Sequence, residues 1–212
     1  MCAEQRPPKT RERILSCALE LFNRLGEPQV TTLEIANELE ISPGNLYYHF
    51  RGKEPLILAL FERFQADSQH LLDPPVDVEL NTHDYWLFLH LIVEQTVHYR
   101  FLFQDLSILA ERLPKLAHGM RVWINKLKQA LALLLAKLKA EGVLESDIEA
   151  LGSLVDQLTM TLLYSLEYQR MVGQPAESRV AVYQMMMLAA PHLTEQAQAV
   201  TINLARRYLA EE

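Results

Sequence analysis

The chain has 212 residues, half of them hydrophobic and 22% charged, with a formal net charge of −7 at pH 7. This composition excludes a disordered chain and suffices for a folded core. Its two cysteines exclude a secreted disulfide scaffold, which needs several bridges. The acidic balance disfavours a nucleic-acid partner, but residues 1–60 carry seven Lys or Arg against eight Asp or Glu, whereas residues 61–212 carry 13 against 19.

The polar, proline-containing start of the sequence predicts no signal peptide. The longest uninterrupted apolar run, residues 130–136, is far shorter than the ~20 residues that a membrane span needs. We therefore expect a cytoplasmic protein without a membrane partner. The start is also locally basic, with Arg6, Lys9, Arg11 and Arg13 against two acidic residues.

Helical periodicity runs through nearly the whole chain and strand signals are nearly absent, so we predict an all-α fold. The first helix begins near Thr10 and ends at Gly26, which can adopt the left-handed conformation of a helix end. A second, short helix opens at Thr31 or Thr32, because Thr31 and Glu34 have the spacing of a capping box.

The third helix is predicted from its first residues. Ser42 is a good N-cap and Pro43 suits the first helical position, so the helix runs from Pro43 to about Phe50. Gly52 interrupts it, and a longer fourth helix follows from about Lys53 to Leu71.

Prolines, glycines and caps divide the remainder into further helices separated by short breaks. Residues 73–82 are predicted to form a loop, and a fifth helix opens after the Asn81–Thr82 cap. The helices expected after it cover 99–112, 116–141, 148–170 and 176–189, with a last one opening at Thr194. Ser146 and Glu149 have capping-box spacing at the start of the 148–170 helix.

Three short helices with a tight turn between the second and third are typical of a helix-turn-helix, whose third helix offers its N-terminal residues to the major groove. Gly44 would let the backbone approach DNA closely, and Asn45 can both donate and accept, as an adenine edge requires. The remaining donors at phosphate-contacting reach are Tyr47, Tyr48, His49 and the cation of Lys53.

Three segments carry a specific resemblance: residues 32–36 (TLEIA), residues 41–50 (ISPGNLYYHF) and the Lys53-Glu54 pair. Over roughly residues 10–60 they closely resemble the DNA-binding domain of the TetR family of transcriptional regulators. The resemblance implies an N-terminal three-helix helix-turn-helix domain, residues 1–55, followed by a larger helical ligand-binding and dimerisation domain, residues 56–212. It also implies a ligand-responsive repressor that acts as a homodimer on a palindromic double-stranded DNA operator.

Transferred to the matching positions, the resemblance assigns a DNA-binding set. Base edges would lie beside Gly44 and Asn45, and phosphates beside the other members: Thr32, Ser42, Pro43, Tyr47, Tyr48, His49 and Lys53. The alternative is structural, with the tyrosines as packing residues and the hydroxyl residues as helix caps. The chain departs from the family at Leu39 and Glu40, where a small residue and glycine are common, so Glu40 must form the turn without glycine's freedom.

The family analogy also implies a cavity for a small apolar or amphipathic inducer among the central helices. Its candidate lining residues are Trp86, His90, Phe101, Phe103, Trp123, Met160 and Tyr164. The alternative is that these side chains simply fill the core. Three histidines, His83, His90 and His98, lack a carboxylate or cysteine that would complete a metal site, so we expect neither metal nor cofactor.

Dimerisation is expected to use the 148–170 helix with one of the last two helices, in a four-helix arrangement. The alternative is that the apolar seam of this helix faces only its own chain. Two rival functions remain. A helical enzyme is disfavoured because no activated nucleophile, carboxylate pair or phosphate loop is recognisable. A helical DNA-binding architectural or interaction protein without an inducer would instead have a fully packed larger domain.

Overall fold

The structure of the chain, a computed structural model, describes residues 10–73 and 82–210. Its helices are α1 (Thr10–Leu25), α2 (Thr32–Glu38), α3 (Pro43–His49), α4 (Lys53–Leu72), α5 (Thr82–His98), α6 (Arg100–Gln104), α7 (Leu106–Arg112), α8 (Pro114–Ala140), α9 (Ile148–Met171), α10 (Ser178–Ala189) and α11 (Glu195–Ala210). The predicted all-α fold is confirmed. Arg6, Lys9 and the Asn81 part of the predicted cap lie outside the described residues.

Helices α1, α2 and α3, residues 10–50, form a small unit that we call the head. Gly26 ends α1 with a φ of 86°, as its position in the sequence predicts. The buried side chains of α1 pack against α2, and α2 packs in turn against α3. The core of the head includes Ile14, Ala18, Leu21, Phe22, Ile35, Ala36, Leu46 and Phe50.

Helices α5 to α11, residues 82–210, form the larger unit, which we call the regulatory region. Its longest helices, α8 and α9, pack against each other, and α10 lies against α5, α9 and α11. Helix α4 joins the two units, because it contacts α1 in the head and α5 and α8 in the regulatory region. The predicted boundary between residues 55 and 56 lies in the first turn of α4 and stays a prediction.

Two predicted elements differ in the structure. Residues 99–112 form two helices, α6 and α7, with a break at Asp105 (φ −116°, ψ 29°). The three consecutive residues 101–103 are all buried, which one straight helix with a single buried face does not allow. At the start of α9 the cap is Asp147, whose Oδ1 accepts from the Ala150 N–H at 2.7 Å. The predicted capping residue, Ser146, instead bonds the His192 ring at 2.8 Å.

Cys17 is buried in α1, and its burial raises the pKa of the thiol. Among the described helices, none has both the length and the hydropathy that crossing a bilayer requires.

Candidate nucleic-acid interface

Helix α3 has one face in the core of the head and one face open. Leu46 and Phe50, four residues apart, are buried, as their spacing predicts. Tyr47 and Tyr48 are 61% and 84% exposed, which excludes the packing role considered for them. Residues 42–45, at the start of the helix, are exposed as well. The predicted base-reading end and the two phenols therefore share one accessible surface.

Caps fix the starts of α2 and α3. Ser42 Oγ accepts from the Asn45 N–H at 3.1 Å, so the predicted cap of α3 is confirmed. Thr31 and Glu34 form the predicted capping box, and Thr32 is the half-buried first residue of α2 rather than its cap. The Thr31 backbone N–H and hydroxyl donate to the Glu34 carboxylate and hold its pKa below the ordinary value.

The turn between α2 and α3 is a Schellman motif built without glycine. The Glu40 N–H donates to the Asn37 carbonyl at 3.1 Å, and the Ile41 N–H donates to the Ala36 carbonyl at 3.0 Å. Glu40 itself has a φ of 54°, as the departure from the family pattern predicts. A left-handed glutamate costs roughly 1–2 kcal/mol, so the surrounding contacts hold this turn in place.

Gly44 is not required by the packing of the head. A Cβ at this position would meet only Ser42 Oγ, at 3.9 Å, and the φ of the residue is not positive. Neither intramolecular crowding nor backbone conformation therefore explains the glycine. A glycine at this exposed position would let the α3 backbone come close to a partner.

His49 is half-buried at the end of α3, and its ring meets the edge of the Tyr48 ring at 5.2 Å. Lys53, at the start of α4, differs from the exposed cation that the sequence suggests. Its Nζ lies 3.0 Å from Glu27 Oε1 and 2.5 Å from the Glu27 carbonyl oxygen. Two of its three N–H donors are thus directed inward, although a quarter of the side chain stays exposed.

Sequence reasoning missed the residues that attach the head to the regulatory region. Glu27 is fully buried and also bonds Arg112 Nη2 at 2.8 Å. Asn23 Nδ2 donates to the His98 carbonyl at 2.8 Å, and its Oδ1 accepts from the Phe101 N–H at 3.1 Å. The partners lie 75 or more positions apart, so no local pattern could reveal them.

The seven predicted inducer-lining residues do not surround one cavity. Phe103 and Trp123 lie in an aromatic core around Phe64, with ring centroids at 5.6 and 5.0 Å from it, and Phe101 packs against Phe22 with the ring centroids 5.2 Å apart. Their mutual packing explains why these positions are aromatic without requiring a ligand.

Trp86 lies elsewhere, beside a small apolar cavity of about 20 Å³ enclosed by α5, α8, α9 and α10. That volume is about the space one water occupies. One turn further along α5, His90 faces the ring of Tyr208 at 5.7 Å. Trp86 Nε1 and His90 Nδ1 are both buried without a hydrogen-bond partner.

Met160 and Tyr164 are about half exposed and line an open groove between α9 and α10. The groove has a volume of about 560 Å³ and also contains Tyr168 and Met187. The helical spacing explains the difference from the prediction, because residues 158 and 162 of the same helix point into the core instead. We call this feature the α9–α10 groove.

A second depression of about 340 Å³ lies between α4 and α8. We call it the α4–α8 groove; it contains Trp123 together with Gln65, Gln69 and Lys126. Trp123 Nε1 is buried without a hydrogen-bond partner. Apolar surface and amide groups therefore occur together here, a combination typical of small-molecule sites.

Comparisons with known proteins agree with this geometry. Residues 14–60 match the family model described as bacterial regulatory proteins, tetR family, and residues 63–200 match the model described as bacterial transcriptional repressor. A TetR-family regulator from Marinobacter aquaeolei VT8 superposes with a TM-score of 0.87 and 30% identity, over 95% of this chain and 99% of that one. CprB from Streptomyces coelicolor, in complex with its operator sequence, shares the fold at TM-score 0.68 and 23% identity, over 96% and 98% of the two chains.

Curated relatives align with this chain over only part of its length. TtgW of Pseudomonas putida is 31% identical over 90 residues, 42% of this chain and 64% of that protein. QacR of Staphylococcus aureus is 48% identical over 50 residues, 24% of this chain and 27% of that protein. The chain thus aligns with less than two thirds of the length of each. Together with the family models, these matches show that the chain belongs to the TetR family of DNA-binding transcriptional regulators.

Proposed function

We propose that this regulator is a ligand-responsive repressor that binds a palindromic operator as a homodimer and has no enzymatic role. The observation that carries the proposal is the exposed end of α3, where Gly44 and Asn45 lie beside Tyr47 and Tyr48 on one open surface. A reading helix needs small or polar residues at its N-terminus and donors along its flank. Such a protein acts on DNA in the cytoplasm.

The proposed DNA contacts divide by chemistry. Gly44 and Asn45 approach base edges, with the Asn45 amide offering a donor and an acceptor to adenine. The other contacts are to phosphates and fix the register of the head without reading sequence. They come from Thr32, Ser42, Pro43, Tyr47, Tyr48, His49 and Lys53.

The proposed dimer uses the α9–α10 groove. Along α9 the exposed apolar residues Met160, Tyr164, Tyr168 and Met171 follow one another at intervals of four, four and three, which places them on a single face. Exposed apolar patches rimmed by polar residues mark interfaces. Two copies of this face, related by a two-fold axis, would bury it in a four-helix contact and hold the two heads at a fixed spacing.

The proposed inducer is a small amphipathic molecule in the α4–α8 groove. The volume of about 340 Å³ is in the range of ligand sites, and the Trp123 indole N–H has no other partner. Because α4 also contacts α1, a ligand that favours a different position of α4 would change the spacing of the heads. The operator affinity would fall by as much as the ligand discriminates between the two states.

A DNA-binding protein without an inducer is the second candidate. The observation that favours it is the small volume of the interior cavity beside Trp86, about 20 Å³, which leaves no room for a metabolite without rearrangement. The two candidates differ in a simple measurement. Operator binding that no metabolite alters would support the second one.

Selection of bound duplexes from a random DNA pool tests the DNA-binding proposal. We expect an inverted repeat with half-site centres separated by about 34–36 Å, one helical turn, or a multiple of it. Tyr48→Ala should weaken binding to all sequences, Tyr48→Phe should isolate the share of its hydroxyl, and Asn45→Ala should change preference at one position in each half-site. An enriched sequence without two-fold symmetry, or unaltered affinity in both alanine variants, would contradict the proposal.

Tryptophan fluorescence tests the inducer site. The chain has two tryptophans, so Trp86→Phe leaves Trp123 as the single reporter. Metabolites that change its emission should also stabilise the protein thermally and release the duplex enriched by selection. If only highly charged metabolites stabilise the protein, the amphipathic class is wrong.

A further inference from the structure

The joint between the head and the regulatory region contains a buried charge that the DNA contacts do not explain. Glu27 lies in the turn between α1 and α2, and no part of it reaches solvent. An ionised carboxylate in such a place needs cationic partners. It has two, from different parts of the fold: Lys53 at the start of α4 and Arg112 at the end of α7.

Both cations converge on the same carboxylate oxygen. Lys53 Nζ lies 3.0 Å from Glu27 Oε1 and Arg112 Nη2 lies 2.8 Å from it, while Oε2 is buried without a partner. The cluster of three groups therefore carries one more positive than negative charge. Without Arg112, Lys53 would be the counter-ion that neutralises Glu27, and its charge would be consumed inside the protein.

We propose that Arg112 and Glu27 are positioning residues that set how much of the Lys53 charge is available to DNA; this inference rests on the proposed function. With Arg112 on Glu27, Lys53 can turn its remaining donor to a phosphate, because the buried carboxylate keeps a counter-ion. When Arg112 withdraws, the carboxylate holds Lys53 inward and one phosphate contact of the head weakens. The regulatory region thus controls a DNA contact through a buried acid.

The surroundings of Arg112 make such a withdrawal possible. Its side chain is partly exposed, and its Nε lies 4.0 Å from Glu54 Oε1. Asp105 lies at the other end of α7, and its burial raises the pKa of its carboxyl group. The charge of Glu27 raises this pKa as well, whereas the charge of Arg112 lowers it. Helix α7 packs on α8, which forms one wall of the α4–α8 groove. A ligand that shifts α8 therefore acts on the element that carries Arg112.

The salt dependence of DNA affinity tests this inference, because each phosphate contact contributes about 0.9 to the slope of log K against log salt. The probe is the duplex that the wild-type protein enriches from a random pool. Arg112→Ala should lower the slope by about 1.8 for a dimer with two heads and weaken binding roughly tenfold at moderate salt. Arg112→Lys should keep most of the wild-type slope and affinity, since it keeps the positive charge.

The decisive variant is the double substitution Glu27→Gln with Arg112→Ala. Without the carboxylate only the neutral Glu27 backbone carbonyl still accepts from Lys53 inside the protein, so most of the wild-type slope should return. A merely structural joint would instead leave the double variant no better than Arg112→Ala. Where the unfolded fraction is the same at every salt concentration, it scales every affinity equally and leaves the slope unchanged, so reduced stability does not mimic the effect.

Arg100→Ala is the matched control, since Arg100 bonds the Asn23 carbonyl at 3.0 Å in the same joint and has no bond to Glu27. Its slope should equal that of the wild type. A wild-type slope in Arg112→Ala, or a low slope in the double variant, overturns this inference and leaves the proposed function standing. Failure of the wild-type protein to enrich any duplex overturns the proposed function, and the inference with it.

Discussion

The head and the regulatory region differ in where their functional residues come from. In the head, the exposed surface of α3 comes from one short segment of the chain, Ser42 to His49, in which only Leu46 is buried. In the regulatory region, the α9–α10 and α4–α8 grooves are each lined from two helices, and the joint unites residues 85 positions apart. A contiguous site can be recognised from sequence, whereas an assembled site depends on how helices pack.

The largest effect is expected from a substitution in the proposed dimer surface, which is an assembled site of the regulatory region. Tyr168 lies in the α9–α10 groove and is 59% exposed, so the isolated subunit should tolerate Tyr168→Glu. A carboxylate buried between two subunits without a partner should raise the dimer dissociation constant by at least about 100-fold.

Sedimentation equilibrium measures this change. Leu133→Glu is the control, because Leu133 is an exposed leucine of α8 that does not line the groove. It should remain dimeric. A wild-type protein that sediments as a monomer at micromolar concentration would refute both the dimer and the groove as its interface.

The next largest effect is expected from a substitution in the contact between α4 and α8. A Cβ at Gly119 would lie 2.6 Å from a ring carbon of Phe61 and 3.1 Å from Gln65 Nε2, so Gly119→Ala should force the two helices apart. We expect a loss of about 1–3 kcal/mol in the free energy of unfolding. Denaturation at fixed protein concentration measures it.

Gly152→Ala is the control for Gly119→Ala, because it makes the same change in a helix where the added Cβ has open space. Nothing lies within 4 Å of the added Cβ, so the gain in helix propensity should stabilise the protein by about 0.5–1 kcal/mol. Equal effects of the two alanines would mean that α4 and α8 do not approach as closely as the structure has them.

The head should show a separation of function from stability at Gly44. Because a Cβ there meets only Ser42 Oγ at 3.9 Å, Gly44→Ala should change the free energy of unfolding by less than about 0.5 kcal/mol. Affinity for the enriched duplex should fall roughly tenfold, since the added methyl lies where the DNA approaches.

Thermal unfolding and a mobility shift on the same preparation separate these two quantities. Gly152→Ala, on α9, should leave DNA affinity as in the wild type. Loss of stability in Gly44→Ala, or full affinity, would argue that the glycine serves the head and not its partner.

The smallest effect concerns acid stability at the α2 cap. Bonds from Thr31 lower the pKa of Glu34 from its ordinary value near 4.5. Because the folded-state pKa is lowered, the bonded carboxylate contributes stability that is fully present above the ordinary pKa. This stability is lost as the pH falls through the lower pKa of the folded state. Glu34→Gln should therefore reduce the stability difference between neutral and acid pH.

Unfolding curves at about pH 7 and about pH 3 measure this difference. Glu38→Gln, on the same helix and outside the cap, is the comparison variant. An identical pH dependence in wild type and Glu34→Gln would show that the cap does not contribute.

Residue patterns along the chain were enough to predict the helical class, the ends of the head helices and the surface of α3. Residues such as Thr31, Ser42 and Glu40 act on backbone groups within a few positions, so their effect is local and readable. The TetR pattern lies in the same segment, which is why the family could be recognised from about 50 residues.

Helix packing accounts for three features that residue patterns did not predict: the break at Asp105, the dispersal of the aromatic residues into a core, and the burial of Glu27 between two distant cations. The physical reason is common to all three. Helical periodicity tells which face of a helix is apolar, but it does not tell which other helix covers that face. A carboxylate at position 27 also has the same local sequence whether it meets water or an arginine from α7.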